Sequence, residues 1–591
     1  MLNLDILNEA QLKAVTYGAN PLMVLAGPGS GKTTVVIQRV FYLLEHLKAS
    51  PENILVLTFT KDAAVSMKNR FLQQSDKPYP VPFGTFHSCF YNIIKTYPSF
   101  QKTELLTDTR KRKILFGIAR KVYEQIEEKE TENLLAAISY FKNTNDFESS
   151  IQKLPVLLRE RFDSVFQTYE AERHRQNLMD FDDMVYECSM LLSRDLSFKQ
   201  YWSSRFHHIL LDEFQDINPR QYEVIHMIAE KTCPVFAVGD DDQSIYRFRG
   251  AAPECIKRFL EDYQAETVLL QKNYRSTEGI IQAASSVIAE NKNRFPKNFL
   301  SDADNRINPS EVLIRAFCNK EDQNSYLLEQ LKTSVEMGSC AVLFRTNLMM
   351  QRFGIFLQKN NLKYSMKEKT MNIYEHFIVK DIMAYLRLSR GEESNSLYLQ
   401  IMNRPYRGID REWVSRQNTR AVSKGQQILQ SQLFYLGKCS LFLGVQYIRR
   451  AIGYEEYLQK LCGNNREQYQ EWLEVLDFVC EDAKEYRKLE EWMTAQKGYI
   501  ANPKKTDSTQ SMVQLMTVHG AKGLEFDKVW IPDCNEGIYP YGNMLDTASC
   551  EEERRILYVA MTRAKSSLEV TYLSGNEKHP RLPSRFLQPI L

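Results

Sequence analysis

The nine residues AGPGSGKTT at 26–34 constrain this chain more than any other stretch. They fit the spacing GxxxxGK[ST] and stand between the apolar run PLMVL and the amphipathic run VVIQRVFYLL, the order strand, glycine-rich turn, helix. A turn built this way curls its backbone N–H groups around a phosphate at a helix N-terminus. Ala26, Gly27, Pro28, Gly29, Ser30, Gly31, Lys32, Thr33 and Thr34 are therefore expected to bind nucleotide, with Lys32 neutralising phosphate and Thr33 ligating Mg2+. A turn that only joined a strand to a helix would not need a lysine and two threonines in register there.

A P-loop implies an α/β sheet, and further apolar strands follow at 54–60, 207–213 and 234–240. A second set runs through 311–317, 340–346, 513–519, 527–533 and 566–572. Between and within these sets lie charged, helix-patterned stretches. A chain of 591 residues exceeds one hydrophobic core. We read residues 1–106 and 196–276 as a first parallel-sheet domain, 107–195 as its mostly helical insertion, 277–370 and 511–591 as a second parallel-sheet domain, and 371–510 as a second helical insertion, closed by the polar linker NPKKTDSTQS.

Paired carboxylates end the strand in LLDEFQD, where Asp212 would hold the metal and Glu213 would act as base on a water. Alone, such a pair is usually solvated or caps a helix; beside a P-loop it has a task. Arginines in NYRS and TRAK, Arg275 and Arg563, are candidates to stabilise a phosphoryl transition state, although an isolated arginine is more often in a surface salt bridge. The acidic run LMDFDDM tempts a second metal, but Asp180 is placed to cap the next helix. The basic run Arg110 to Lys113 fits duplex phosphates or simply a solvated helix face.

No apolar run is long enough to span a bilayer, and the start MLNLDILNEAQ lacks the features of a secretory signal, which points to the cytoplasm. Eleven cysteines scattered without a CxxC pair read as reduced thiols. A net charge of +2 excludes a general basic coat, so nucleic acid must be met by local grooves and aromatic platforms.

Taken in order, these segments resemble the UvrD/Rep/PcrA-like DNA helicases of superfamily 1, from LNEAQLKAV to PSRF. The resemblance implies two RecA-like P-loop NTPase domains whose ATP and Mg2+ drive movement along single-stranded DNA in the 3′ to 5′ direction. It implies that Gln11 reads adenine, that Arg39 flanks the base, that Tyr274 stacks on it and that Glu525 touches the ribose. VGDDDQSIYRFRGA is similar to the coupling motif, with Gln243 on the γ-phosphate and Tyr246, Phe248 and Arg249 facing DNA. By the same resemblance Phe59 and Thr60 line a base pocket, Thr85 and His87 lie near the DNA backbone, and His519 and Gly520 approach the strand. His87 alone would more often be a hydrogen-bonded structural histidine, and Phe59 more often core.

The sequence departs from the family where Phe248 replaces the usual tryptophan and where EVTYLSGNEKHPRLPSRF has a short polar tip in place of an aromatic one. Duplex unwinding is therefore a weaker expectation than translocation. The reading is an ATP-dependent helicase and translocase acting on single-stranded DNA and its duplex junctions, with repair, replication or defence proteins as partners. Its rivals are a translocase that strips proteins from DNA, a nucleotide-gated binding module, and an RNA motor.

Overall fold

The computed structural model describes residues 2–123, 126, 128–229, 233–247, 250–301, 311–334, 338–366, 372–410, 423–463, 466–500, 512–542, 546–577 and 579–591. The linker NPKKTDSTQS, with Phe248 and Arg249, lies outside the described residues. The chain forms two compact units, Met1–Val312 with Leu545–Ser567 and Phe586–Leu591, and Leu313–Met544 with Leu568–Arg585.

The first unit holds a six-stranded sheet of β1 (Leu22–Ala26), β2 (Ile54–Thr58), β3 (Phe83–Thr85), β4 (His208–Leu211), β5 (Val235–Gly239) and β6 (Glu266–Leu270). Its order is β3-β2-β4-β5-β1-β6, with every pair parallel. The strands β1, β2 and β5 are buried throughout, as a parallel sheet with both faces covered requires. Helices α1 (Glu9–Thr16), α2 (Lys32–Glu45), α3 (Lys61–Gln74) and α4 (Phe86–Lys95) follow from this half of the chain. Helices Asp108–Val122, Glu128–Thr144 and Phe162–Arg175 share a separate apolar core that includes Leu115, Ile138 and Phe162.

The helix α5 (Phe181–Arg194) begins with Asp180 as its cap: the Asp180 carboxylate accepts from the Asp183 N–H at 2.8 Å, and the Asp183 carboxylate accepts from the Asp180 N–H at 2.8 Å. Lys111 pairs with Asp180, and Arg112 with Glu132 at 2.6 Å, while Arg110 donates to Gln176. Three residues of the basic run thus have partners inside the insertion.

The second unit carries the sheet of β7 (Glu311–Phe317), β8 (Cys340–Phe344), β9 (Tyr364–Met366), β10 (Val513–Thr517), β11 (Phe526–Ile531) and β12 (Ala564–Leu573), in the order β7-β12-β11-β8-β10-β9. Between β9 and β10 the described chain is mainly helical and has its own core around Ile382, Leu429 and Trp492. The fold is thus α/β with two parallel-strand sheets and helical insertions. Residues 277–312, 545–567 and 586–591, which the sequence reading grouped with the second sheet, lie instead in the first unit. Helix α6 (Glu278–Ala289) and the chain after it are tied to α7 (Thr547–Met561), where the Asn291 amide donates to the Glu551 carbonyl at 2.9 Å and Arg555 donates to the Asn293 carbonyl at 2.8 Å. All eleven cysteines are free thiols, and no helix among the described residues is long and apolar enough to cross a membrane.

Candidate active site

The turn after β1 is shaped by Gly29 at φ 65° and Gly31 at φ 83°, backbone conformations that side chains resist. Gly31 caps α2, so Lys32, Thr33 and Thr34 open that helix where its free N–H groups gather. The Ser30 hydroxyl donates to the Gly27 carbonyl at 2.8 Å, and the Lys32 ammonium reaches the carbonyls of Ala26 and Gly27 at 3.2 and 3.3 Å. Burial lowers the Lys32 pKa; Glu213, Asp240 and Asp212 oppose that, and Arg275 adds to it. Lys32 is thus placed at the centre of a field of both signs.

Asp212 follows β4 and is 4% exposed. Burial first, and Glu213 second, push its carboxyl up to about 7, while Lys32 opposes the shift. Glu213 stands at φ 55°, left-handed for a residue with a side chain, and accepts from the Gln215 amide at 2.5 Å.

A second wall comes from the segment Asn273–Ser276. The Asn273 amide donates to the Pro28 carbonyl at 2.6 Å while its oxygen accepts from the N–H groups of Arg275 and Ser276, both at 2.8 Å. The Tyr274 N–H donates to the Gly29 carbonyl at 2.9 Å. Asn273, which the sequence reading passed over, is therefore the clip that fixes Arg275 against the P-loop; its place at the head of NYRS was the only signal for it. Arg275 donates to the Thr562 carbonyl at 3.3 Å, and buried Arg563 donates to the Gln243 side-chain oxygen at 3.1 Å. Burial, and Arg275 after it, lower the Arg563 pKa. Lys32, Asp212, Glu213, Gln243, Arg275 and Arg563 are thereby gathered in one unit.

On the base side, the Gln11 amide donates to the Ser30 carbonyl at 2.9 Å, and its oxygen accepts from the Asn8 N–H at 3.1 Å. Tyr274 is 42% exposed, with its hydroxyl held by the Asn8 amide at 2.7 Å and the Lys272 ammonium 5.5 Å from its ring centroid. Arg39 is 2% exposed: its guanidinium donates to the carbonyls of Val15 and Gly18, both at 2.8 Å, and to that of Tyr17. Its hydrogen bonds go to the chain leaving α1, in an anchoring position.

Phe59 and Tyr246 stack with centroids 5.1 Å apart and planes 18° apart. Thr60 caps α3 and Thr85 caps α4. The His87 ring meets Phe181 edge-on at 5.9 Å, and Phe181 is 67% exposed at the start of α5. The sequence reading took Asp180 as a cap and missed this neighbour; an exposed phenylalanine beside a histidine is a surface for stacking. In the second unit His519 and Gly520 lie in the turn after β10, where the Gly520 N–H donates to the Thr517 hydroxyl at 3.1 Å, and Glu525 directly precedes β11.

Comparison with known proteins gives the family of the chain. The UvrD/REP helicase N-terminal domain matches residues 7–264, and the UvrD-like helicase C-terminal domain matches 268–435 and 475–575. The putative ATP-dependent DNA helicase YjcD of Bacillus subtilis is 32% identical over 99% of this chain and 81% of its own length. DNA helicase II of Haemophilus influenzae is 30% identical over 99% and 87%, and the ATP-dependent DNA helicase Rep of Buchnera aphidicola 30% over 98% and 97%. With two family domains matched over most of its length, this chain belongs to the UvrD/Rep family of helicases.

Proposed function

We propose that this chain, an ATP-dependent DNA helicase, translocates 3′ to 5′ along single-stranded DNA and opens duplex at single-strand to double-strand junctions, working in the cytoplasm. The observation that carries the reading is the convergence of Lys32, Glu213, Gln243, Arg275 and Arg563 around one P-loop. In this reading Lys32 holds the β- and γ-phosphates, Glu213 takes a proton from the attacking water, Gln243 contacts the γ-phosphate, and Arg275 and Arg563 stabilise the charge that develops on it. Tyr274 stacks on adenine and Gln11 reads its edge, with Glu525 on the ribose.

The raised pKa of Asp212 fits a cation partner, and Asp212 with the Thr33 hydroxyl would hold magnesium. Bound there, the metal supplies positive charge to the phosphates. The Phe59–Tyr246 stack and the exposed Phe181 beside His87 offer faces for unstacked bases, with Thr60 and Thr85 at the starts of α3 and α4 and His519 and Gly520 as further contacts.

A second reading, a translocase that displaces proteins and unwinds weakly, is favoured by one feature. Among the described residues the hairpin after β12 pairs Gly575–Asn576 with His579–Pro580, and the sequence of its tip, GNEKH, holds no Phe, Tyr or Trp to act as a wedge. Strand separation is to be measured on duplexes with a 3′ or a 5′ single-stranded tail, beside DNA-stimulated ATP hydrolysis and a Lys32→Ala control. Opening from the 3′ tail alone, lost in Lys32→Ala, is expected. Stimulated hydrolysis with neither duplex opened would favour the translocase, and hydrolysis indifferent to Lys32→Ala would overturn the site.

A further inference from the structure

Residues 291–301 leave α6 and run back over the nucleotide site as a strap. Lys297, near its middle, is 6% exposed, and its ammonium lies 2.6 Å from Asp240, 2.5 Å from Asp241 and 3.0 Å from Asp242. Arg294 grips both oxygens of Asp242 at 2.9 and 2.7 Å, and the Phe295 N–H donates to Asp241 at 2.8 Å. Farther on, the Phe299 ring covers Gly27 so closely that a Cβ there would stand 2.1 Å from it. Leu300 and Ser301 then pair with Lys272 and Asn273, and the Ser301 hydroxyl donates to the Ser276 carbonyl at 2.9 Å. One strap therefore touches the aspartate turn, the P-loop and the arginine segment.

Three carboxylates within 4.8 Å of one another are a set that a divalent ion could take. Here the ammonium of Lys297 fills that role, and burying such a group of acids without a cation would cost several kcal/mol. Asp240 matters most, because its second oxygen accepts from the Gln243 amide. That bond fixes which way the amide points: nitrogen to Asp240, oxygen to Arg563 at 3.1 Å. Asp240 also acts on Lys32. Burial alone would raise the Asp240 pKa, but Lys297 first and Lys32 second hold it below the usual range. If Lys297 were removed, Lys32 would be the main cation left to Asp240, and the carboxylate would compete with phosphate for it.

We propose that Lys297 is a positioning residue for ATP hydrolysis: by neutralising Asp240 it keeps the Gln243 amide and the Lys32 ammonium directed at the phosphates. The Gln243 half of this rests on the γ-phosphate contact proposed above.

The test compares full-length wild type with Lys297→Met, Lys297→Arg, Lys297→Met/Asp240→Asn and Gln243→Ala, reading kcat and KM for DNA-stimulated ATP hydrolysis and the melting temperature of each. Lys297→Met is expected to lower kcat by roughly 10- to 100-fold, the range for residues that orient a reacting group from behind. Lys297→Arg should keep most of the rate. The double variant should recover much of the loss, because asparagine still accepts from Gln243 but leaves no uncompensated charge near Lys32.

A residue needed only for stability would lower the melting temperature while the folded protein kept its kcat, so a fall in kcat measured well below the melting temperature is what separates positioning from folding. Lys297→Met within about twofold of wild type, or a double variant no faster than Lys297→Met, overturns the proposal. Should Lys297→Met not fold, the double variant decides: folded with kcat within about tenfold of wild type it supports the role, folded and slower than that it ends it. Gln243→Ala at the wild-type rate would instead overturn the γ-phosphate reading, and the Lys297 comparison would still decide whether the lysine protects Lys32.

Discussion

Glu213, the base in the proposed function, holds an unfavourable backbone conformation. Its φ of 55° costs roughly 1 kcal/mol relative to a right-handed conformation, and the turn accepts this directly after a buried strand end. Asp212, one residue earlier, stays 4% exposed while Glu213 is turned aside from it, so two adjacent acids occupy different surroundings. Glu213→Gln keeps the size and the Gln215 neighbour but cannot take a proton. It should lower kcat by about 10²- to 10⁴-fold and leave nucleotide affinity within about threefold of wild type. Stopped hydrolysis with retained nucleotide binding, read by quenched turnover and fluorescent-nucleotide titration, is the expected pair; a rate near wild type would remove Glu213 as the base. The position of Glu213 was legible in LLDEFQD, whereas its backbone conformation was not. Likewise the resemblance singled out Arg39 just after the P-loop, but only the fold shows its guanidinium buried against three carbonyls.

Among the elements, what could be read from sequence followed burial. Strands covered on both faces, such as LMVLA and VFAVG, are continuous apolar runs and announce themselves. Of the strands in the two six-stranded sheets, the three not read beforehand, β3, β6 and β9, are all outermost, and two have no buried residue at all. An edge strand needs fewer apolar residues, so its pattern fades into its loops. The grouping of Thr547–Met561 with the first unit was also invisible, since it depends on contacts to a segment more than 250 residues away in sequence, such as Asn291 with Glu551. A further element-level property is acid sensitivity. His208 opens β4 half-buried, and burial first, then Arg39 and His207, depress its pKa to about 4. It is neutral in the fold and protonates near pH 6.5 when unfolded. Its stabilising contribution is therefore complete above pH 6.5 and is lost as pH falls towards 4. Screened by solvent at this partly exposed ring, that loss between pH 7 and 5 is about 1 kcal/mol, and His208→Gln should flatten the fall in melting temperature over this window. An unchanged slope in the variant would mean that other groups carry it.

At the scale of the molecule, each sheet had to accept a long insertion without surrendering its own core, and helix Asn347–Lys359 shows how the second one does so. Met350, Phe353 and Leu357 recur at helical spacing and face the sheet core with Val342, Leu515 and Trp530. Leu348 and Ile355, on another face of the same helix, belong to the core of the insertion with Ile382 and Trp492. The helix thus serves two cores through two stripes, and polar ties reinforce the second: Lys359 reaches Asp482 at 3.3 Å, and the Trp492 indole donates to Asp482 at 2.7 Å. Because the sheet core takes none of the described residues of 372–500, the sheet should survive loss of that stretch. The exposed stripe would then be the liability, with each large apolar side chain losing roughly 1.5–3 kcal/mol of burial. Replacing residues 367–511 by a Gly/Ser linker of about eighteen residues, long enough for a parallel crossover, should give an aggregating protein with Leu348 and Ile355 intact. The same deletion with Leu348→Gln and Ile355→Gln should be monodisperse and melt cooperatively by circular dichroism. If the repolarised variant shows no cooperative transition, the insertion contributes to the sheet core itself, and the two stripes on Asn347–Lys359 are one continuous core rather than two.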